Sequence, residues 1–207
     1  SYPVTFTPVN LRPQTPPDVG GSIRVVGMNL LNYFTTIDTT SSSSSGSCGT
    51  SHTLDCRGAD SQAELDRQTA RAAKVICDLN PDVAGLMELE NNDVPSPVAT
   101  ISYLLDAVNQ RCGGAHPYTF QNNAAGTLGT DAIRVMIVYR GGVVAPVGAA
   151  MVDMDSVHSR PPMAQTFDVV DATNYAFGKR FIVVANHLKS KGSCPTDGSA
   201  NTDQNDG

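Results

Sequence analysis

Val83-Ala-Gly-Leu-Met-Glu88 is an unbroken apolar run that closes on a carboxylate. Two further runs share this build: Ile23–Met28 closes on Asn29, and Phe181–Ala185 closes on Asn186-His187-Leu188-Lys189. Near-continuous apolar stretches of this length suit strands buried on both faces. A carboxylate or imidazole that follows such a run toward the core is costly unless something pairs with it. Polar groups gathered at the ends of sheet strands are a common way for α/β scaffolds to build chemistry. The pattern therefore predicts an α/β enzyme with its site at the strand ends.

A chain of 207 residues holds one large domain or two small ones. Its hydrophobic share of 40%, together with 18 Gly and 13 Pro, predicts a loop-rich α/β domain. The net charge of −6 leaves no basic stripe for tight stoichiometric nucleic-acid binding. A nucleic-acid substrate stays open, because a hydrolase must release its polymer and a bound divalent metal adds positive charge that the sequence count omits.

Residues 1–21 carry five prolines without periodicity and are expected to form an extended arm or linker. Ile23–Asn29 is expected as the first strand, and the Ser/Thr tract Thr35–Ser47 as a mobile loop. Asp60 or Ser61 should cap a helix running to about Leu79, with Leu65, Ala72, Ala73, Ile76 and Leu79 on one face. Asn80-Pro81-Asp82 stops it, and Val83–Glu88 forms the next strand. A second helix is expected over Pro97–Cys112, with Ile101, Leu104, Leu105 and Val108 inward and Gly113-Gly114 as its stop. Strands then dominate: Tyr118–Asn122, Ala132–Tyr139, Val143–Val147, Met163–Val169 and Phe181–Asn186, with Asp171–Asn174 as a hairpin connection. Helices ahead of a β-meander favour a mixed sheet over a purely parallel one. From Gly192 to Gly207 the apolar signal disappears.

Of the five cysteines, Cys48 and Cys56 flank a Ser/Gly/Thr-rich loop that a disulfide would staple. Cys77 and Cys112 lie near the ends of the two predicted helices and would either pair or remain as buried thiols. Cys194 is left over in a Gly-Ser-Cys-Pro loop and calls for a partner outside the set. This arithmetic favours an oxidising compartment, and no run of the chain is apolar and long enough to cross a membrane. Ser1 suggests a processed start.

Taken singly, each strand-end residue has an ordinary structural explanation: Glu88 as a surface carboxylate, Asn29 as a turn former, His187 with Lys189 and Lys191 as a solvated loop. Their coincidence at the ends of three separate apolar runs is what points to chemistry. A hard cation such as Mg²⁺ takes carboxylate and amide oxygens and keeps several waters. Phosphoryl chemistry also needs groups that stabilise charge on the non-bridging oxygens and an acid or base near neutrality, which histidine supplies.

Five stretches, in order, resemble the endonuclease/exonuclease/phosphatase superfamily. They are Ile23-Arg-Val-Val-Gly-Met-Asn-Leu-Leu-Asn-Tyr-Phe34, Asn80-Pro-Asp-Val-Ala-Gly-Leu-Met-Glu-Leu-Glu-Asn91, Gly129-Thr-Asp-Ala-Ile-Arg-Val-Met-Ile-Val-Tyr-Arg140, Arg160-Pro-Pro-Met-Ala-Gln-Thr-Phe167 and Ala185-Asn-His-Leu-Lys-Ser-Lys-Gly192. Within the superfamily they are most similar to secreted bacterial nucleases related to deoxyribonuclease I, and the resemblance covers roughly Ile23 to Cys194. It implies a four-layer α/β sandwich with two mixed sheets and helices outside. It implies that Glu88 binds the divalent metal (Mg²⁺, or Mn²⁺ or Ca²⁺), with Asn29 as a ligand or phosphate contact. His187 would act as general acid at the leaving oxygen, oriented by Asp131, while Arg160 faces the substrate phosphate and Lys189 and Lys191 serve as general electrostatic attraction or as specific phosphate contacts.

Two of the family's later segments, Gly-Asp-x-Asn and Ser-Asp-His, are absent. The resemblance therefore implies that residues 22–194 form the N-terminal two-thirds of such a domain. Residues 195–207 would be a flexible polar loop, with the remainder following as a C-terminal segment or second chain. The expected activity is metal-dependent hydrolysis of phosphodiesters in DNA, with RNA as a further substrate, and with little sequence preference. The expected location is extracellular or periplasmic in a bacterium, with no membrane partner. The alternatives are a phosphatase or sphingomyelinase-like phosphodiesterase of the same superfamily, or a catalytically inactive binding domain.

Overall fold

The computed structural model describes residues 7, 9, 13, 15–39, 46–92, 99–121 and 129–188. Seven strands and two helices follow one another along this portion: β1 (Val25–Tyr33), α1 (Gln62–Leu79), β2 (Val83–Glu90), α2 (Ala99–Cys112), β3 (Tyr118–Gln121), β4 (Ile133–Arg140), β5 (Val144–Val152), β6 (Met163–Val169) and β7 (Arg180–Ala185). β1, β2, β4 and β3 form one sheet in that order, and β5, β6 and β7 form another. β1 runs parallel to β2, whereas β4 is antiparallel to both of its neighbours, so the first sheet is mixed. The second is antiparallel throughout the described residues. The α/β class with two sheets is as expected.

Helix α1 forms where Ser61 caps it: the side chain accepts a hydrogen bond from the Glu64 backbone N–H, satisfying one orphan donor of the first turn. Asn80 ends it in the left-handed conformation at φ 47°. Leu65, Ala72, Ala73 and Ile76 are buried as the periodicity predicts, with Thr69 completing the stripe, while Leu79 is only half-buried. On α2, Ile101, Leu104, Leu105 and Val108 are all buried. The two helices cover one face of the first sheet, and the Cys77–Cys112 disulfide ties their C-terminal ends, with Cα atoms 5.3 Å apart.

The other face of the first sheet meets the second sheet. Gly85 is the point of closest approach: a Cβ there would stand 3.1 Å from the Ala185 Cβ, so any larger residue would push the sheets apart. Phe167 on β6 packs its ring against Tyr139 at 5.3 Å between centroids and against Phe181 at 5.8 Å, joining both sheets in one core.

Only one of the three apolar runs is buried on both faces. In β2 the first four residues are fully buried. β1 and β7 are the outermost strands of their sheets, and alternate residues face out: Val25 is 50% exposed, Ile182 65% and Val184 61%. The expectation for Ile23–Met28 and Phe181–Ala185 is corrected on this point, because nothing in the described residues covers those faces. The Ser/Thr tract is corrected in part as well. Thr35 and Thr36 are fixed to a buried carboxylate, as described below, while residues 40–45 lie outside the described region. Pro97, Asn122 and Gly192–Gly207 also lie outside it. Among the described residues, no helix is long and apolar enough to cross a membrane.

The Cys77–Cys112 bridge closes a long loop of chain, which constrains the unfolded state. Replacing both cysteines by alanine is expected to lower stability by about 3 kcal/mol. A shift of the denaturation midpoint at unchanged m-value would show it; an unshifted midpoint would count against a stabilising bridge.

Candidate active site

Glu88 was expected at a strand end and Asn29 likewise, but both lie inside their strands, because β2 runs on to Glu90 and β1 to Tyr33; Glu88 reaches its position through a break in the pleat. Along β2, Gly85 faces the second sheet and Leu86 the helices. Regular alternation would send Glu88 to the helix side after Leu86. Instead the ladder slips between Leu86 and Leu89, and Leu89 takes the helix-side position opposite Arg134. Glu88 is the extra residue of this bulge, held at φ 64°, where a non-glycine side chain is uncommon. The neighbouring strand breaks at the same level: β1 shifts register between Asn29 and Tyr33, with Leu31 at φ 57° and Asn32 at φ 58°. Two adjacent bulges thus turn Glu88 out of the core and wrap β1 around it.

The wrapping supplies hydrogen bonds. Asn29 donates from its side-chain nitrogen to Glu88 Oε1 at 2.8 Å, and the Asn32 backbone N–H donates to Oε2 at 2.9 Å. Asn29 is itself fixed, because its oxygen accepts from the Leu31 N–H at 2.8 Å. From the end of β7, His187 brings Nε2 to 3.5 Å from Glu88 Oε1. The two side chains are 15% and 17% exposed, in reach of solvent yet mostly shielded. Burial holds the His187 imidazole below its ordinary pKa; the Arg160 charge adds to this, and Glu88 and Asp131 oppose it. Its Nδ1 is buried with no hydrogen-bond partner among the described residues.

Arg160 and Asp131 complete the cluster. Arg160, just ahead of β6, donates from Nη1 to Asp131 Oδ2 at 3.1 Å and from Nη2 to the Leu188 carbonyl at 3.3 Å, next to His187. Asp131, just ahead of β4, also accepts from Arg57 Nη2 at 3.2 Å. The sequence reading gave Asp131 the task of orienting His187. In the structure its carboxylate is occupied by two guanidinium groups, and it reaches His187 only as a nearby charge.

Asn29, with its nitrogen on Glu88 and its oxygen on the Leu31 N–H, steadies the glutamate. Asn29, Glu88, Asp131, Arg160 and His187 converge at one end of the two sheets; Lys189 lies outside the described residues.

A divalent ion fits this donor set in one respect. Asp82, Asp131 and Asp168 each have an arginine partner, whereas Glu88 has only neutral amide donors and a histidine whose charged form is disfavoured. A shielded carboxylate without a cationic side-chain partner among the described residues suits a hard cation that keeps most of its waters. No group of three or more His, Cys, Asp or Glu side chains in metal-binding array occurs among the described residues.

Two residues that sequence reasoning passed over shape the site. Glu90 is 2% exposed, and its Oε2 accepts from the backbone N–H groups of Thr35 at 2.8 Å and Thr36 at 3.0 Å and from the hydroxyls of Thr35 and Thr100. Its Oε1 accepts from the Thr36 hydroxyl. This carboxylate fastens the chain that leaves β1 directly after the turns around Glu88. Its signal was a second acidic residue in a run that should be apolar. Arg57, one residue after Cys56, carried no signal of its own.

No family model matches the chain, and no curated protein matches it. Among solved structures it is similar to TDP2 from C. elegans, at 14% identity over 64% of this chain and 33% of that one, with a TM-score of 0.39. It is also similar to the human Nocturnin catalytic domain with bound sulfate anion, at 17% identity over 60% of this chain and 44% of that one, with a TM-score of 0.37. The chain thus spans less than half the length of either. These likenesses are too slight to carry an argument.

Glu88 and Glu90 are two residues apart with opposite expected roles. Glu90→Ala would strand several buried donors at about 1–3 kcal/mol each, so a loss of about 3 kcal/mol or more is expected in urea titration. Glu88→Gln should cost less, about 1–2 kcal/mol, since the amide oxygen still accepts from Asn32 and only the contact to the Asn29 side-chain nitrogen becomes donor against donor. Equal destabilisation by the two substitutions would refute this division.

Proposed function

We propose that this chain forms part of a metal-dependent phosphodiesterase of the endonuclease/exonuclease/phosphatase superfamily. We further propose that it is a secreted nuclease acting on DNA with little sequence preference. The observation that supports it most is Glu88, turned out of the sheet by paired bulges and held by neutral donors beside a shielded imidazole. The order of five family-like stretches adds to this, as do the two disulfides, which suit an oxidising compartment.

Glu88 would hold the divalent ion, with Mg²⁺ the first candidate and Mn²⁺ or Ca²⁺ as substitutes. When bound, such an ion supplies charge stabilisation at the phosphoryl oxygens and a more acidic water. Asn29 and the Asn32 N–H keep the Glu88 carboxylate in one orientation. Arg160, fixed through Asp131 and the Leu188 carbonyl, presents its guanidinium to the substrate phosphate, where two N–H groups can meet two oxygens. His187 would pass a proton to the departing sugar oxygen. An incoming phosphodiester anion favours its charged form and so opposes the effect of burial.

The uncovered faces of β1 and β7 belong to the same proposal. Val25, Ile182 and Val184 are exposed apolar strand residues, which a continuation of the domain or a second chain would cover.

In a plasmid-nicking assay on the complete protein, activity should require Mg²⁺ or Mn²⁺, and Glu88→Gln should remove most of it while the fold is kept. Full activity in excess EDTA would sink the metal reading. For His187→Ala, the rate on a substrate with an ordinary sugar leaving group is expected to fall by about 10²–10⁴. A nitrophenolate leaving group needs little protonation and should show a much smaller defect. Equal defects on both substrates would make His187 a structural or phosphate-contacting residue.

A further inference from the structure

The loop closed by the Cys48–Cys56 disulfide reaches the candidate site through the residue that follows it. The two cysteines are buried, with Cα atoms 5.2 Å apart, in a small apolar cluster with Phe34, Ala132 and Ile133. Ala132 and Ile133, the second of which opens β4, follow Asp131 directly, so the stapled loop is docked on the segment that carries this carboxylate. Within the loop, Cys48 and Leu54 exchange backbone hydrogen bonds at 2.9 and 3.0 Å. The loop is thereby a folded unit and its exit is fixed.

Arg57 is held from both sides. Before it lies the disulfide; after it, Gly58 lies so close to Phe34 that a Cβ would come within 2.4 Å of the Phe34 Cβ. The next residue, Ala59, accepts from the Asp38 N–H at 2.9 Å. The backbone of Arg57 is thus placed by three independent contacts, although the residue itself is 40% exposed. A guanidinium has five N–H donors. Among the described residues only Nη2 of Arg57 has a partner, Asp131 Oδ1, while Asp131 Oδ2 takes Arg160. One carboxylate therefore aligns two arginines, and the trio keeps a net positive charge in a chain whose overall charge is −6.

We propose that Arg57 binds a second phosphate of the nucleic-acid backbone, next to the one that Arg160 faces, and that the Cys48–Cys56 disulfide loop is the device that delivers it. Two guanidiniums aligned by a shared carboxylate match a polymer with regularly spaced phosphates better than an isolated phosphomonoester. Arg57 is the exposed member and meets the flanking phosphate; Arg160, only 13% exposed, stays at the reacting one. This assignment rests on the nuclease reading and narrows it to polymeric substrates.

The test is steady-state hydrolysis of a DNA duplex by the complete protein across a series of salt concentrations at fixed Mg²⁺. Arg57→Ala should raise KM, leave kcat within a few-fold, and reduce the slope of log(kcat/KM) against log[salt] by about one, the signature of one lost phosphate contact. Arg57→Lys should recover most of the slope, because it keeps the charge. Cys48→Ser/Cys56→Ser, with helical circular dichroism preserved, should reproduce the Arg57→Ala slope. An unchanged slope in Arg57→Ala, or a loss confined to kcat, would overturn the proposal and leave Arg57 as a support for Asp131. A wild-type slope in the double serine variant would overturn the role of the disulfide. Absence of DNA hydrolysis by the wild-type protein would remove the nuclease reading itself and this assignment with it.

Discussion

The paired breaks in β1 and β2 are the constraint on which the candidate site depends. A regular β2 would bury Glu88 under the helices, where an ionised carboxylate without a partner is prohibitively costly. Inserting Glu88 as an extra residue keeps Leu86 and Leu89 in the core and sends the carboxylate outward. The parallel break in β1 lets Asn29 and the Asn32 N–H reach both oxygens. Glu90 then fixes the chain beyond, accepting from Thr35 and Thr36, so the turn around Glu88 is anchored at its far end. Two glutamates in one strand do opposite jobs because one is the bulged residue and the other is not.

Charge is arranged around this anchor with little redundancy. Asp131 neutralises parts of two arginines and sets their separation, while Arg160 also takes the Leu188 carbonyl and so links the β7 end to the β4 start. The imidazole lies between Glu88 and this positive group, and its pKa reflects burial before either charge. The cluster is thus polarised, with a carboxylate at one side and guanidiniums at the other.

Much of the fold was legible because local rules and tertiary packing agree. A cap at Asp60 or Ser61, most of the α1 stripe, the strand Met163–Val169 and the helix-ending glycine at Gly113 follow from residue chemistry alone, and the structure places the cap on Ser61. Pairing of Cys48 with Cys56 was legible from the loop they flank, while Cys77–Cys112 needed the helices to meet. Exposure of β1 and β7 was not legible, since an apolar run does not say which of its faces will find a cover. That Glu88, His187 and Arg160 lie close together was suggested by motif order, although Glu88 sits inside β2 and not at its end. The bulge was not, because alternation carries no mark of the residue that breaks it. Asp131 was assigned to the wrong partner, as its neighbours come from loops distant in sequence. Arg57 was invisible, since its place is set by a disulfide and a close glycine contact and by nothing in its own sequence neighbourhood.

The left-handed backbone at Glu88 carries a consequence for how this protein could change over time. A glycine or asparagine there would relax the local conformation, because both tolerate positive φ better than glutamate does. The most comfortable occupant of that position is therefore not a glutamate. Under the proposed ion-binding role, drift toward greater stability at this position would lead away from chemistry. A relative without that role would then be recognisable by a small or amide residue at that one position in an otherwise intact strand.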